Sequence, residues 1–567
     1  MTTSPHPLIA RGREALARND LAAAAAAADE RLRADARDVH ALEIRCRVQQ
    51  RRGDLAQAIS TLGEVIRADP RALWAYNDLT QHLFATGRRA EAEQVARTAL
   101  RIDPRDAQAH HLFGTILSEN NDLPAGEWHF RRALELGGPQ ARFFANLALN
   151  LMQQGRTDEA DECYAQAQRL APDDMTTLAH WSKLHEVRGD MQRAWALLER
   201  AQAVSSPSAV DLLRAAYLSR EGRHAEALAI IDAAPALGGN AQLERGRLCD
   251  RLGRYDEAWR DFVAGKQKLA AEAGGLTYQG DAVQTFFARL KRFFVRANIE
   301  LLPRSTPRPE VPQPIFVLGF PRSGTTMIEQ VLSSHSAVRA GGELSFGGEL
   351  RQLANQLFPG PEPFPENLAR TWTADNRYAA TVFRDYYLAR AEGYGLLEGG
   401  KRWFVDKMPF NEVYLPLLRM AFPASPIVSV VRHPLDVCVS MLANNLTHGF
   451  NCGYRIEDIV RHIAAVSDLV AHFRREMTVG DHVLKYETFV ADQRAETARL
   501  LEHLGLPFES ACLDFHESRR YAPTPSYAQV TERLHDRSVN RHRRYTRHLA
   551  PFVPQLAPLM TANGYEP

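Results

Sequence analysis

Gly319-Phe320-Pro321-Arg322-Ser323-Gly324-Thr325-Thr326 sets the first chemical constraint on this chain. A short run of β-formers, Ile315 to Leu318, precedes it, and Met327, Ile328, Val331 and Leu332 follow at helical spacing. Strand, glycine loop, helix is an arrangement that cradles a phosphate, because the loop amides and the helix N-terminus aim at one spot. The two glycines stand at the separation of G-x-x-x-x-G-K-[ST], yet Thr325 occupies the lysine position. In a nucleoside triphosphatase that lysine reaches the β- and γ-phosphates, so its loss argues against ATP or GTP hydrolysis. What remains is a nest of amides, the hydroxyls of Thr325 and Thr326, and Arg322, all donors for one anionic group such as a 5′-phosphosulfate.

A second set lies farther along, where Ile427 to Arg432 reads as a strand ending in arginine and Ser440 follows in the next helix. Arginine at a strand end offers a bidentate fork to phosphate, and the serine can add a hydroxyl from the same side. The plainer use of Arg432 is an ion pair with a surface carboxylate. Both stretches resemble the sulfotransferase family, whose loop commonly reads P-[KR]-S-G-T-T, matched by Pro321 to Thr326, and whose 3′-phosphate grip is matched by Arg432 and Ser440. The resemblance implies 3′-phosphoadenosine 5′-phosphosulfate (PAPS) as co-substrate and no metal. It also implies Arg322, Ser323, Gly324, Thr325 and Thr326 on the 5′-phosphosulfate. A small-molecule kinase on the same loop would want the missing lysine and has no use for Arg432 and Ser440.

The likeness extends to the reacting groups. Arg339-Ala340-Gly341-Gly342-Glu343 resembles the R-C-G-E stretch of tyrosylprotein sulfotransferases, with alanine for the cysteine and one glycine more, and this implies Glu343 as general base. A glutamate after two glycines can instead cap the following helix. His335 and His448 are the histidine alternatives, since cytosolic sulfotransferases use histidine. Lys407, in Asp406-Lys407-Met408-Pro409-Phe410, resembles the family's K-x-P lysine, which helps stabilise the transition state, with Arg322 the cation on the sulfuryl and bridging oxygens. Tyr486 and Ser526 match cofactor-contacting positions, and Arg541, Arg543, Arg544 and Arg547 supply nearby positive charge. The acceptor is then a hydroxyl. The tyrosylprotein likeness points to a protein or peptide tyrosine, while a sugar or a small phenol fits the same residues.

These side chains need elements to hold them. Further short strands read at Ala337 to Ala340, Trp403 to Val405 and His482 to Lys485, alternating with helical segments, which predicts a mainly parallel sheet. Ligands of such sheets sit beyond the carboxyl ends of the strands. Arg322, Glu343, Lys407 and Arg432 each follow a strand end, so the pattern brings them to one crevice.

The first half is a repeat. Asn19, Gly53, Gly87, Asn121, Gly155 and Gly189 mark turns 34 residues apart, continued less regularly by Gly222 and Gly253. That is the tetratricopeptide period. Ala58, Ala92, Gly126, Ala160 and Ala194 keep register, as do Ala99, Ala133, Ala167 and Ala201, and small residues there let helices approach closely. Pro70, Pro104 and Pro172, with Gly138 in the same register, end the second helix of each pair. Tyr76, Leu79, Phe113, Phe144, Leu147, Tyr164 and Trp181 fall at helix-facing positions suited to stacking between repeats.

The expected fold is therefore multidomain. An all-α tetratricopeptide solenoid covers 8–265, a helical connector and a linker crowded with proline cover 266–313, and an α/β P-loop-like sulfotransferase domain with a mainly parallel sheet covers 314–567. The array offers a concave face to a protein or peptide, or serves as an oligomerisation scaffold. In the alternative to an enzyme, that scaffold carries a non-catalytic nucleotide-binding domain.

Net charge of +1, with 24% charged and 45% hydrophobic residues, gives no electrostatic reason to expect nucleic-acid or anionic-membrane partners. Six cysteines without a C-x-x-C pair argue against a disulfide framework or a zinc site. Without a basic region and apolar run near Met1, or a long apolar stretch later, the expected location is the cytoplasm.

Overall fold

In the computed structural model, which describes residues 6–205, 210–409, 411–446, 451–517 and 532–566, every turn residue of the repeat series adopts the left-handed backbone. The φ angles are 59° at Asn19, 78° at Gly53, 77° at Gly87, 63° at Asn121, 81° at Gly155, 79° at Gly189, 80° at Gly222 and 77° at Gly253. Each lets one helix end and the next begin within two or three residues. At Gly53, for instance, the amides of Gly53 and Asp54 close back on the carbonyls of Gln50 and Gln49.

The chain divides into two compact units, Met1–Val204 and Ser205–Pro567. The first is built of antiparallel helix pairs such as Val39–Arg52 with Leu55–Ala68 and Ala141–Gln153 with Thr157–Leu170. Ala58, Ala92, Ala160 and Ala194 are completely buried, and so are Ala99, Ala133, Ala167 and Ala201. At Gly126 even one carbon more would collide with Ser118 Oγ, which is why glycine replaces alanine in that register. Tyr76, Phe113, Leu147, Tyr164 and Trp181 are buried as expected. Leu79 and Phe144 lie only partly in the interior, and Phe143, one position before Phe144, is the buried ring of its helix.

The second unit opens with two more helix pairs, Asp211–Arg220 with His224–Asp232 and Gly239–Arg251 with Tyr255–Glu272. The division between units thus falls inside the repeat series, upstream of the proline-rich stretch. That stretch is extended and pinned: Ser305 N–H donates to the Met420 carbonyl at 2.9 Å and Ser305 Oγ to the Ala421 carbonyl at 2.5 Å.

Among the described residues five strands follow: β1 (Gln313–Leu318), β2 (Val338–Ala340), β3 (Trp403–Asp406), β4 (Ile427–Val431) and β5 (Asp481–Lys485). Their order is β2-β3-β1-β4-β5 and every pairing is parallel, with Ile315 opposite Val405 and Leu318 opposite Ser429. Alternation along β1 sends Ile315 and Val317 to one face, with Ile328 and Val331 of the helix after the loop. Phe316 and Leu318 go to the other, with Leu469 and Phe473. β1 lies centrally, and successive strands are added first on its β3 side and then on its β4 side, so a topological switch point opens beside its carboxyl end. Among the described residues, no helix is long and apolar enough to cross a membrane.

Candidate active site

The chain leaves β1 through Gly319, where a Cβ would meet the Val430 carbonyl at 2.7 Å; only glycine lets the loop lie this close to β4. Glu412 Oε1 accepts from Gly319 N–H at 2.8 Å, and burial pushes the Glu412 carboxyl up to about 8. Arg322 sits at φ 74° and Gly324 at φ 105°, the latter capping the helix Thr325–Ser333. A left-handed arginine costs on the order of 1 kcal/mol, and such outliers persist where surroundings over-determine them. Ser323 N–H donates back to the Phe320 carbonyl at 3.0 Å, and the left-handed residues on either side of it give the turn the backbone pattern of an anion-binding nest. Ser323, Thr325 and Thr326 are all buried beside it. The Tyr486 ring closes the loop from outside, since a Cβ on Gly324 would lie 2.7 Å from its Cδ2.

Arg322 Nε donates to Ser440 Oγ at 2.9 Å. Ser440 lies on the helix Pro434–Leu442 that follows β4, so the loop and the arginine–serine element meet directly. Arg432 Nη1 donates to the Arg322 carbonyl at 3.0 Å, its Nη2 donates to the Ser538 carbonyl, and its guanidinium lies 4.7 Å from the centre of the Tyr486 ring. Burial, and after it the positive charges of Arg432, Arg541 and Arg247, lower the proton affinity of Arg322. Positive charge is therefore concentrated at one place in a protein whose net charge is only +1. A phosphorylated nucleotide fits this donor set: the buried Nε groups of Arg432 and Arg541 have no hydrogen-bond partner among the described residues, and such donors need an acceptor.

Glu343 and Lys407 form a second group at the ends of β2 and β3. Lys407 Nζ donates to Glu343 Oε1 at 2.5 Å, with the lysine side chain only 1% exposed. Their backbones are tied as well, since Lys407 N–H donates to the Gly342 carbonyl at 2.9 Å and Gly341 N–H to the Val405 carbonyl at 3.0 Å. Glu329, on the helix Thr325–Ser333, accepts from Gly342 N–H at 2.7 Å, so the segment carrying Glu343 is fastened to the phosphate-loop helix. Asp406, beside Lys407, accepts from the Tyr387 hydroxyl, and burial pushes its carboxyl up to about 7.

The remaining expected residues divide. His335 is not poised as a base, because Nδ1 accepts from Ala337 N–H at 3.0 Å and Nε2 faces the Pro507 carbonyl at 3.0 Å. His448 and Ser526 lie outside the described residues. Of the arginine cluster, Arg541 pairs with Asp250 at 3.1 Å, while Arg547 pairs with Asp256 and Arg544 lies over the Tyr255 ring.

Residue patterns did not single out Glu329, Glu412, Asp436 or His542. Burial acts to raise the Asp436 carboxyl, but hydrogen bonds from His542 at 2.7 and 2.9 Å and the Arg432 charge prevail and hold it below the usual range. The readable signal for Glu329 was a lone carboxylate between Ile328 and Val331 on an apolar helix. For Glu412 and Asp436 no signal exists without the fold.

A family model described as the sulfotransferase family matches residues 314–510, and tetratricopeptide-repeat models match 49–114 and 141–174. An uncharacterized protein of Aquifex aeolicus is 25% identical over 425 residues, 71% of this chain and 53% of the relative, so the chain spans about half of that relative's length. A protein of Caenorhabditis briggsae named "Putative protein-tyrosine sulfotransferase" is 24% identical over 208 residues, 36% of this chain and 70% of the relative. Among solved structures, a tetratricopeptide repeat protein from Parabacteroides merdae covers 46% of this chain and 91% of its own, at 16% identity and a TM-score of 0.33. The chain thus joins tetratricopeptide repeats to an α/β domain of the sulfotransferase family.

Proposed function

We propose that the second unit transfers a sulfuryl group from PAPS to a hydroxyl acceptor, and that the acceptor is a tyrosine of a protein or peptide. The observation that carries this reading is the 2.9 Å hydrogen bond between Arg322 and Ser440, with Arg432 on the Arg322 carbonyl at 3.0 Å. A loop suited to a 5′-phosphosulfate and an arginine–serine pair suited to a 3′-phosphate are then adjoining walls of one site. Ser440 accepts from Arg322 and keeps its own O–H to donate.

When bound, PAPS supplies an electrophilic sulfur and a phosphate leaving group. The amides of Gly324, Thr325 and Thr326 hold the 5′ end, and Arg432 and Ser440 hold the 3′ end. Glu343 takes the proton from the acceptor hydroxyl as the acceptor oxygen bonds to sulfur; a positioned base of this kind is worth about 10²–10⁴-fold in rate. Lys407 and Arg322 meet the charge that grows on the phosphate oxygen as its bond to sulfur breaks. The Glu343–Lys407 contact of 2.5 Å keeps base and cation at a fixed spacing before the acceptor arrives. The tyrosine assignment is supported by the name of the C. briggsae relative, which matches 36% of this chain. A protein or peptide acceptor also gives the tetratricopeptide array a use, as a surface that binds the chain to be modified.

The test is transfer of label from ³⁵S-PAPS to a panel of tyrosine peptides, carbohydrates and phenols, with Arg322→Ala as the blank. Peptide labelling by the unmodified protein alone is the expected result. No labelling of any class, together with equal affinity for adenosine 5′-phosphate and adenosine 3′,5′-bisphosphate, overturns the reading.

A further inference from the structure

The residues around the loop are not all drawn from the stretch that resembles sulfotransferases. The helix Gly239–Arg251, part of the repeat series and outside the matched residues 314–510, reaches the same place. Arg247 Nη1 donates to the Ala443 carbonyl at 2.8 Å, just past the end of the helix that carries Ser440. Asp250, one turn farther along, pairs with Arg541 at 3.1 Å and accepts from the Tyr545 hydroxyl. The next helix, Tyr255–Glu272, adds Lys266, whose Nζ donates to the Asn444 carbonyl at 2.5 Å, and Asn445 Nδ2 donates to Asn240 Oδ1 at 3.0 Å. Three successive residues after the Ser440 helix are therefore held by one helix pair.

Arg247 is placed to do more than hold backbone. Glu244 takes its Nε at 2.9 Å and its Nη2, and Ala443 takes Nη1, which leaves one N–H on each terminal nitrogen. The side chain is 36% exposed, so those donors can reach a ligand. Its charge acts on Arg322 alongside those of Arg432 and Arg541. Glu244, Asp436 and Asp250 pair with Arg247, Arg432 and Arg541 and offset their mutual repulsion, so the group stands together with donors still directed to a ligand.

We infer that Arg247 is a donor-binding residue: it supplies, from the last repeat, a further cation to the 3′-phosphate of the nucleotide held by Arg432 and Ser440. This rests on the PAPS reading and deepens it, making the final helix pair a wall of the transferase site. The rival role is purely structural, with Arg247 capping the Ser440 helix.

Binding of adenosine 3′,5′-bisphosphate and of adenosine 5′-phosphate to the full-length protein separates the two. Arg247→Gln weakens the bisphosphate about tenfold, the worth of one charge-assisted hydrogen bond, and leaves the monophosphate unchanged. Equal weakening of both nucleotides, or of neither, overturns the inference. Because Arg247→Gln could disturb the Ser440 helix, Glu244→Gln provides a second arm with the opposite sign. Removing the competing carboxylate tightens the bisphosphate severalfold, which no packing defect would imitate; unchanged or weaker binding counts against the inference. If Arg432→Ala loses the preference for the bisphosphate while Arg247→Gln keeps it, the PAPS reading stands and only the role of Arg247 falls. If the unmodified protein has no such preference, both fall.

Discussion

The two units bury their side chains by different rules. In Met1–Val204 the interior is mostly alanine, leucine and aromatic rings, and the buried Asn150 and Glu186 find partners close by, Asn150 donating to Ser118 at 2.7 Å and Lys183 donating to Glu186 at 2.7 Å. In Ser205–Pro567 the carboxyl ends of the strands bury Glu329, Asp406, Lys407, Glu412, Arg432 and Asp436. Several of their partners lie far off in sequence, as with His542 on Asp436 and Arg322 on Ser440. Burying a charge costs several kcal/mol unless it is paired, so a fold keeps such a concentration only where chemistry needs it. Long-range polar burial also pins the scaffold, as Ser305 does on Ala421, but the buried carboxylates and cations gather at the strand ends that carry the site.

That contrast breaks most sharply at Glu343. Glu343→Ala should lower kcat by about 10²–10⁴-fold, the range for loss of a general base, while the dissociation constant for adenosine 3′,5′-bisphosphate stays put. Rapid-quench turnover beside equilibrium binding checks both. Unchanged turnover would leave Glu343 only as the ion-pair partner of buried Lys407, since the N-cap of the helix that follows is Ser345. A smaller effect belongs to Glu412. Its carboxyl is raised from 4.5 to about 8 by burial, so over that window the folded chain holds a proton that the unfolded chain has released. Stability therefore falls as pH rises toward 8, by at most about 1.4 kcal/mol per pH unit. Glu412→Gln keeps an acceptor for Gly319 N–H and should flatten the profile, leaving the part due to Asp406, which is raised to about 7. Hydrogen exchange of β1 amides against pH reads this out, and an unaltered slope would mean that Glu412 is ionised in the fold.

The same contrast explains what the sequence discloses. All five strands were legible, because each is a short apolar run between turn signals, and the repeat turns were legible because a period repeats its own evidence. Arg322, Arg432, Ser440 and Tyr486 were singled out by their motifs, and the structure brings them into one cluster. The strand order was not, since nothing local says that β1 lies between β3 and β4. Glu412 on the Gly319 amide and Asp436 under His542 were equally out of reach. Their partners are chosen by the crossing of elements, which residue spacing does not encode. The role of the helix Gly239–Arg251 was hidden for a different reason: its repeat pattern is ordinary, and the periodicity that identifies it says nothing about which neighbour it touches.

The smallest effect sharpens the comparison, because the same substitution can be made in both units at residues with left-handed backbones. At Gly53, φ is 78° and a Cβ would meet nothing within 4 Å. Gly53→Ala therefore carries only the backbone term, about 1 kcal/mol, and should lower the melting temperature of the array by a few degrees without altering nucleotide affinity. Asn121, at φ 63° in the same register, shows that asparagine is accepted there, so Gly53→Asn should cost less than Gly53→Ala. At Gly324, φ is 105° and the added Cβ would lie 2.7 Å from Tyr486 Cδ2. Gly324→Ala carries a similar backbone term and also displaces the ring that faces Arg432, so its excess should appear as weaker binding of adenosine 3′,5′-bisphosphate, by about tenfold or more. Calorimetry and equilibrium binding on the two variants separate the terms. Equal stability losses with nucleotide affinity intact in both would mean that the Tyr486 ring yields without consequence, and that the crowding around the loop serves packing alone.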